Sequence, residues 1–540
     1  MPLLLKSFYS LVVVLVSGLV LVPLVTAAYH VAAQPQMLAL LVDKDVIAAL
    51  VNTLTIASAA LLVSMPVAVI LSWSVVRTNI LGRSLFRNVL VFPYYVPCFL
   101  LAVSWITLAA PRVGILSRLF PTWRVDLYNW WGLVGVFSAA YLPLILSGLC
   151  NAFDDFDPSL EEAARIAGAG PMTVLWRITL PLMIPVIATS GILFFLAILS
   201  AFGLPAVIGT PARIGVLTTK IYEMVRLGGV DGVVHGFVLA LWLLVLTAGL
   251  LFVGERIQRN NRYRLVVGKV SRASVITLGV WRGPLTVTVL LATCVLVVLP
   301  LSALVASSFL VVAGDFSRFT LRNYLYLWAM PELTRAFLNS FVLCLVTAAV
   351  CSAVGFAIGY FRDRTQLPGR QTLFLIATLG YSLPGTLIAL AVIVSYGTGW
   401  GIESIALYGS VVLLVFAYAA KYMALSAQSL LPAIANVDHS LDDAARLCGA
   451  TWPRVLAQIV VPLVRSSVIS VFVLTAVPVF TELTMSALLV GPGTETVGTL
   501  LFQLQDYANP LSACALSTIL IALLAVCLPL VQRAQGRGWA

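Results

Sequence analysis

Runs of about twenty residues, almost without charge, recur along this chain and leave few folds open to it. A bilayer core about 30 Å thick is crossed by a helix of roughly 20 apolar residues, because each residue advances the helix by about 1.5 Å. Inside lipid every backbone N–H and C=O needs a partner, and within a single segment only a helix supplies them. The runs lie near residues 10–33, 47–76, 88–110, 132–150, 181–205 and 236–256, then 285–310, 336–360, 372–396, 405–430, 462–490 and 511–533. Hydrophobic residues make up 61% of the chain and charged residues 10%, well outside the soluble globular range. The expected fold is an all-α integral membrane protein with about twelve transmembrane helices.

The first run, behind Lys6, carries Ala27, Ala28, Ala32 and Ala33, small residues that would suit cleavage of a signal peptide. A later copy argues for a retained helix: Leu-Val-Leu-Val-Pro23-Leu returns as Leu-Val-Val-Leu-Pro300-Leu. Other landmarks recur in the same order, Asn52-Thr with Asn339-Ser, Pro97 with Pro384 and Tyr141 with Tyr422. The chain therefore reads as two parallel six-helix repeats, residues 1–256 and 283–540, joined by a basic linker at 257–282. With both termini in the cytoplasm, the inside segments hold about twice as many Lys and Arg residues as the outside ones. The net charge of +11 is thus a topology signal, spread between apolar runs, and no nucleic-acid partner is expected. Lys421 is expected near the cytoplasmic end of its span, where it would snorkel to the interface.

Two polar stretches, 159–181 and 440–462, share one design. In the first, Ser159 and Glu162 form a capping-box pattern that starts a short helix, Gly168 stops it, and Pro171 suits the first turn of the next. In the second, Ser440, Asp443, Gly449, Ile459 and Pro462 stand at the same intervals. Glu162-Ala163-Ala164, Gly168, Ile178, Leu180 and Pro181 resemble the EAA loop of the permease subunits of ABC importers. The second copy departs from it with Asp443 for the glutamate and Val461 for the leucine.

That resemblance implies a type I ABC importer permease fold in a bacterial cytoplasmic (inner) membrane, with both loops on the cytoplasmic face. It implies ATPase docking through Glu162, Ala163, Ala164 and Gly168 in one loop and Asp443, Ala444, Ala445 and Gly449 in the other. The chain has no Gly-x-x-x-x-Gly-Lys-Ser/Thr phosphate loop, so ATP and Mg are expected on two partner ATPase subunits and no cofactor on this chain. A second resemblance lies in Ala201-Phe-Gly-Leu-Pro-Ala-Val-Ile-Gly-Thr-Pro-Ala-Arg213 and in Thr481-Glu-Leu-Thr-Met-Ser through Glu495. These are similar to the fused two-half permeases of the ferric-iron importer family, whose relatives carry thiamine, polyamines, sulfate, phosphonates and sugar phosphates. Ferric iron, handed over by an extracytoplasmic binding protein, is the cargo that this resemblance implies. Arg213, Arg318 and Arg322, in outer loops, are the expected contacts for that protein.

Glu482 is expected within the eleventh span, where its first-half counterpart is Ala201. Either it lines the path of a hard cation, or it accepts hydrogen bonds from backbone, Thr481 or Thr484 and fixes a bend before Gly491-Pro492-Gly493. The eight cysteines and three histidines are scattered and give no metal, disulfide or nucleophile pattern, so no enzymatic site is expected. A secondary carrier would also show repeated halves, but it would need no paired loops and would usually carry ionisable residues within its spans.

Overall fold

The computed structural model describes residues 3–111, 113–120, 122, 126–156, 159–260, 275–397 and 407–534. Among them, nine helices are long and apolar enough to cross a membrane: Leu4–Ala33, Lys44–Arg77, Trp130–Asp154, Leu175–Leu199, Asp231–Ile257, Gly279–Ser308, Pro331–Arg364, Val411–Ala435 and Trp452–Phe480. Two bent pairs, Arg83–Tyr95 with Cys98–Ala109 and Arg370–Ser382 with Gly385–Gly397, raise the number to eleven if each counts as one span. A shorter apolar helix, Pro510–Val526, follows. Of the basic linker, residues 261–274 lie outside the described residues.

The internal repeat is visible in the geometry. Lys44–Arg77 and Pro331–Arg364 are both 34 residues long, and Trp130–Asp154 and Val411–Ala435 are both 25. The runs 88–110 and 372–396, expected as spans, are each broken, by 110° and 111°. Each break falls at a repeated proline. Pro97 and Pro384 lack an N–H to continue the ladder, and the residues before them, Val96 and Leu383, are extended at ψ 130 and 140. The other repeated prolines cause less damage. Upstream of Pro23, Pro181, Pro300 and Pro462 the helix widens by one π turn, at Ser17–Leu21, Leu175–Thr179, Cys294–Val298 and Leu456–Val460, which absorbs the missing bond, and the helix continues as one span.

The asparagine landmarks act as pins. Asn52 Nδ2 donates to Gly215 O at 3.0 Å, and Thr53 Oγ1 accepts from Leu217 N at 2.9 Å. In the second half Asn339 Nδ2 donates to Glu495 O at 2.9 Å, and Ser340 Oγ accepts from Val497 N at 2.9 Å. Each set ties the N-terminal part of a second span to the loop after a fifth.

The hydrophobic interior divides into two clusters that do not follow the halves. One combines residues from Ile56 to Val216 with Val289–Leu304 and Val497–Leu520. The other combines Leu5–Val46, Leu217 and Val233–Leu243 with residues from Leu343 to Leu489. The first helix of the chain therefore packs on the second half: Tyr396 Oη donates to Gly18 O at 2.6 Å and Tyr9 Oη to Pro368 O at 2.8 Å. Reciprocally, Leu299–Ser308 packs against Cys98–Ala109.

Candidate functional site

Both polar loops fold as helix, glycine turn, helix. Ser159–Ile166 ends at Gly168, whose φ is +87, and His439–Leu447 ends at Gly449, φ +81. The bonds Gly168 N to Arg165 O (2.9 Å) and Ala169 N to Ala164 O (2.9 Å) make a Schellman motif. The second loop repeats it with Gly449 N to Arg446 O (2.9 Å) and Ala450 N to Ala445 O (3.0 Å). A Cβ on either glycine would meet nothing within 4 Å, so the requirement is for the left-handed backbone and not for space. In the second loop the helix cap is Asp438, which accepts from Ser440 N at 2.9 Å; Ser440, expected as the cap, is already inside the helix. The Ser440 backbone N–H, its hydroxyl and the nearby His439 and Arg364 charges hold the Asp438 carboxyl below its ordinary value.

The expected docking residues lie on open surface. Glu162, Ala163 and Gly168 are exposed and Ala164 half-buried; Asp443, Ala444 and Gly449 are exposed and Ala445 half-buried. Apolar side chains stand out beside them, Leu160 and Ile166 (89% exposed) in one loop and Leu441 and Leu447 (90%) in the other.

The preceding acid of each loop points the other way, and sequence reasoning missed it. Glu161 is 1% exposed and forms an ion pair with Arg77, the last residue of the second span; Thr179 Oγ1 donates to its other oxygen at 2.6 Å. In the second half Arg364, again the last residue of its span, pairs with Asp442 at 3.3 Å and donates to Ile434 O at 2.9 Å and to Val437 O. Arg77 and Arg364 read in sequence only as inside-positive charges. The signal that could have singled them out was their matched place at the ends of two 34-residue helices. Each loop is thereby anchored to the C-terminal end of one long helix.

The remaining candidates sit apart from the loops. Arg213, Arg318 and Arg322 are exposed and make no ion pair among the described residues; Arg213 has φ +57 at the end of a turn closed by Ile214 N to Gly209 O at 2.9 Å. Glu482 is buried but not within a spanning helix. The helix expected to run through 462–490 stops at Phe480, and Glu482 Oε2 accepts from Met485 N (2.9 Å) and Ser486 N (3.1 Å). By taking these N–H groups, the carboxylate replaces the bonds that would continue the helix. Lys421 also departs from expectation, standing mid-span in Val411–Ala435. Ten residues separate it from the N-terminal end of that helix and fourteen from the C-terminal end, farther than its side chain reaches toward either.

Residues 60–260 and 352–540 match the family model described as "Binding-protein-dependent transport system inner membrane component". The chain belongs to this family. Together with the apolar helices, membership makes it a multi-pass inner-membrane protein and a transport subunit. It is 24% identical over 436 residues to a putative ferric transport system permease protein, FbpB 1, of Haemophilus influenzae, covering 78% of this chain and 66% of the relative. To the ferric transport system permease protein FbpB of Actinobacillus pleuropneumoniae it is 24% identical, with 78% and 61% covered. The chain thus spans somewhat less than two thirds of the length of these ferric relatives. The molybdenum transport system permease protein ModB of Escherichia coli K12 is 28% identical over 220 residues, 40% of this chain and 95% of the relative. A crystal structure of a bacterial ABC transporter for the acidic polysaccharide alginate aligns over 47% of this chain with a TM-score of 0.40 and 14% identity.

Proposed function

We propose that this chain is the fused permease subunit of an ATP-driven, binding-protein-dependent importer, with residues 1–256 and 283–540 as its halves and 257–282 as a cytoplasmic linker. The observation that carries the reading is the pair of matched loops, each with an open Glu/Asp-Ala-Ala face, exposed apolar side chains and a left-handed glycine, and each tied to a spanning helix. One ATPase subunit docks under each loop through Glu162, Ala163, Ala164 and Gly168 or Asp443, Ala444, Ala445 and Gly449. ATP and Mg belong to those partners. Closure of the ATPase pair rocks the halves between outward and inward access, a two-state element biased by nucleotide. Both termini and both loops are cytoplasmic; Arg213, Arg318 and Arg322 face the binding protein, where exposed charge mainly speeds encounter.

Ferric iron is the cargo favoured by the ferric relatives, which cover most of this chain. Molybdate is the second reading, from relatives that match about one half. We read Glu482 first as the cap that holds the bend after Phe480, since its carboxylate is taken up by backbone donors.

Cys448 offers a direct test, being exposed beside Gly449. A membrane-impermeant maleimide is expected to label it in inside-out vesicles and not in sealed right-side-out cells, with Cys448→Ser as control, and bound ATPase is expected to shield it. Labelling from outside, or no shielding by an ATPase that copurifies, would refute the assignment. Gly168→Val with Gly449→Val is expected to leave the chain inserted but to abolish ATP-driven uptake.

A further inference from the structure

The two halves meet at the bends that follow Leu199 and Phe480. A Cβ on Gly203 would lie 2.8 Å from Leu483 Cδ2, so the bends touch. Tyr94 and Tyr381, which hold equivalent places in the two bent pairs, lie within electrostatic reach of each other and are 49% and 50% exposed. Two half-exposed tyrosines, one from each half, thus lie near each other.

The second half alone places charge here. The Lys421 ammonium packs over Gly385, where a Cβ would come within 2.9 Å of Nζ, 3.2 Å of Met485 Cγ and 3.7 Å of Thr484 Cγ2. Nζ lies 5.6 Å from the Tyr422 ring centroid. Glu482 is near enough to act on it through space, yet among the described residues Lys421 has no ion pair within 4.0 Å and no hydrogen bond. The Glu482 carboxylate is otherwise engaged: Oε1 accepts from Met485 N at 3.1 Å, and Oε2 accepts from Met485 N, Ser486 N and, at 3.3 Å, Ser486 Oγ. Tyr418 Oη and Ser486 Oγ share a further hydrogen bond. The corresponding first-half residues, Ala140 for Lys421, Ala201 for Glu482, Phe137 for Tyr418 and Cys98 for Gly385, carry no charge.

A carboxylate whose lone pairs are occupied by backbone donors has little left for a cation. An ammonium has three donors, and here none is claimed by a described residue. Thr386, next to Gly385 in sequence, has a buried hydroxyl with no hydrogen-bond partner among the described residues. Glu482 offsets the charge of Lys421 at this depth without consuming its donors, which explains how an ammonium is tolerated mid-span.

We propose that Lys421 is the cargo contact of the translocation path and that it receives an anionic oxygen. The oxygen belongs either to a free oxyanion or to an anionic chelate that carries a metal ion. A bare trivalent cation is repelled by it. The proposal rests on the permease reading above and narrows its cargo. A single ammonium gives a weak, one-sided contact, suited to passage more than to retention.

The chain has five lysines, so acylation of Lys421 can be followed peptide by peptide in nanodiscs. Molybdate or ferric citrate is expected to slow acylation of Lys421 at least threefold while Lys6 and Lys220 react unchanged. Gadolinium(III) chloride, a bare trivalent cation, is expected to have no effect. Protection by molybdate identifies a free oxyanion; protection by ferric citrate but not citrate alone identifies a chelate. Equal labelling under all anions, or protection by gadolinium, overturns the proposal. In proteoliposomes holding the full complex, Lys421→Met is expected to lower uptake of the protecting compound at least tenfold, and Lys421→Arg to restore at least a third of it. Wild-type uptake by Lys421→Met also overturns it. Absence of ATP-dependent uptake in the wild-type complex would count against the permease reading, and the labelling result would still decide Lys421.

Discussion

Glu161 and Glu162 are adjacent on a helix, where successive side chains point about 100° apart. Glu162 stands in solvent and Glu161 is buried against Arg77. Removing one partner of a buried ion pair costs about 3–5 kcal/mol, whereas replacing both by apolar groups of similar size is often near neutral. Arg77→Met is therefore expected to destabilise the protein by that amount, and Arg77→Met with Glu161→Met to recover most of the loss, as read by a thermal-unfolding cycle in detergent. The second half should recover less. Arg364 also satisfies the carbonyls of Ile434 and Val437, which the double variant Arg364→Met with Asp442→Met leaves without a donor. The docking residues could be read from the sequence because their spacing is local. The pairing of Glu161 could not, since its partner lies on another helix, and two adjacent acids give no sign of which one turns inward.

At the scale of elements, the prolines were legible as landmarks but not in their effects. Pro23 and Pro300 stand inside helices that continue through a π turn, whereas Pro97 and Pro384 mark breaks of about 110°. Hydropathy cannot separate these outcomes, because an apolar run scores alike whether it is straight or folded back. The reverse holds for Asn52-Thr53 and Asn339-Ser340, polar residues inside apolar runs that their recurrence marked and that the structure turns into pins. The Leu217 and Val497 N–H groups each bond a side-chain hydroxyl in a buried setting. Thr53→Val and Ser340→Ala should each cost about 1–3 kcal/mol, the penalty for stranding a buried donor. The two should be nearly additive in thermal unfolding, since they act in different halves. Strong non-additivity would mean that the two pinned loops move as one body.

For the molecule as a whole, the number of apolar runs was legible and their partnership was not. A repeat in sequence suggests that each half packs on itself, yet the first and last helices of each half complete the other's interior. Expressed alone, residues 1–256 and 283–540 are each expected to be degraded or to aggregate, while coexpression restores a stable pair, measured by yield after detergent extraction. A stable isolated half would contradict the exchanged packing. The exchange also sets an order of events at the ribosome. Chains grow at about 5–20 residues per second. When Ile56–Val216 has entered the bilayer, the helix that fills its core, Gly279–Ser308, has not yet been made. The early half must wait in lipid with an open flank for several seconds, the interval in which quality-control proteases and insertion factors have access to it.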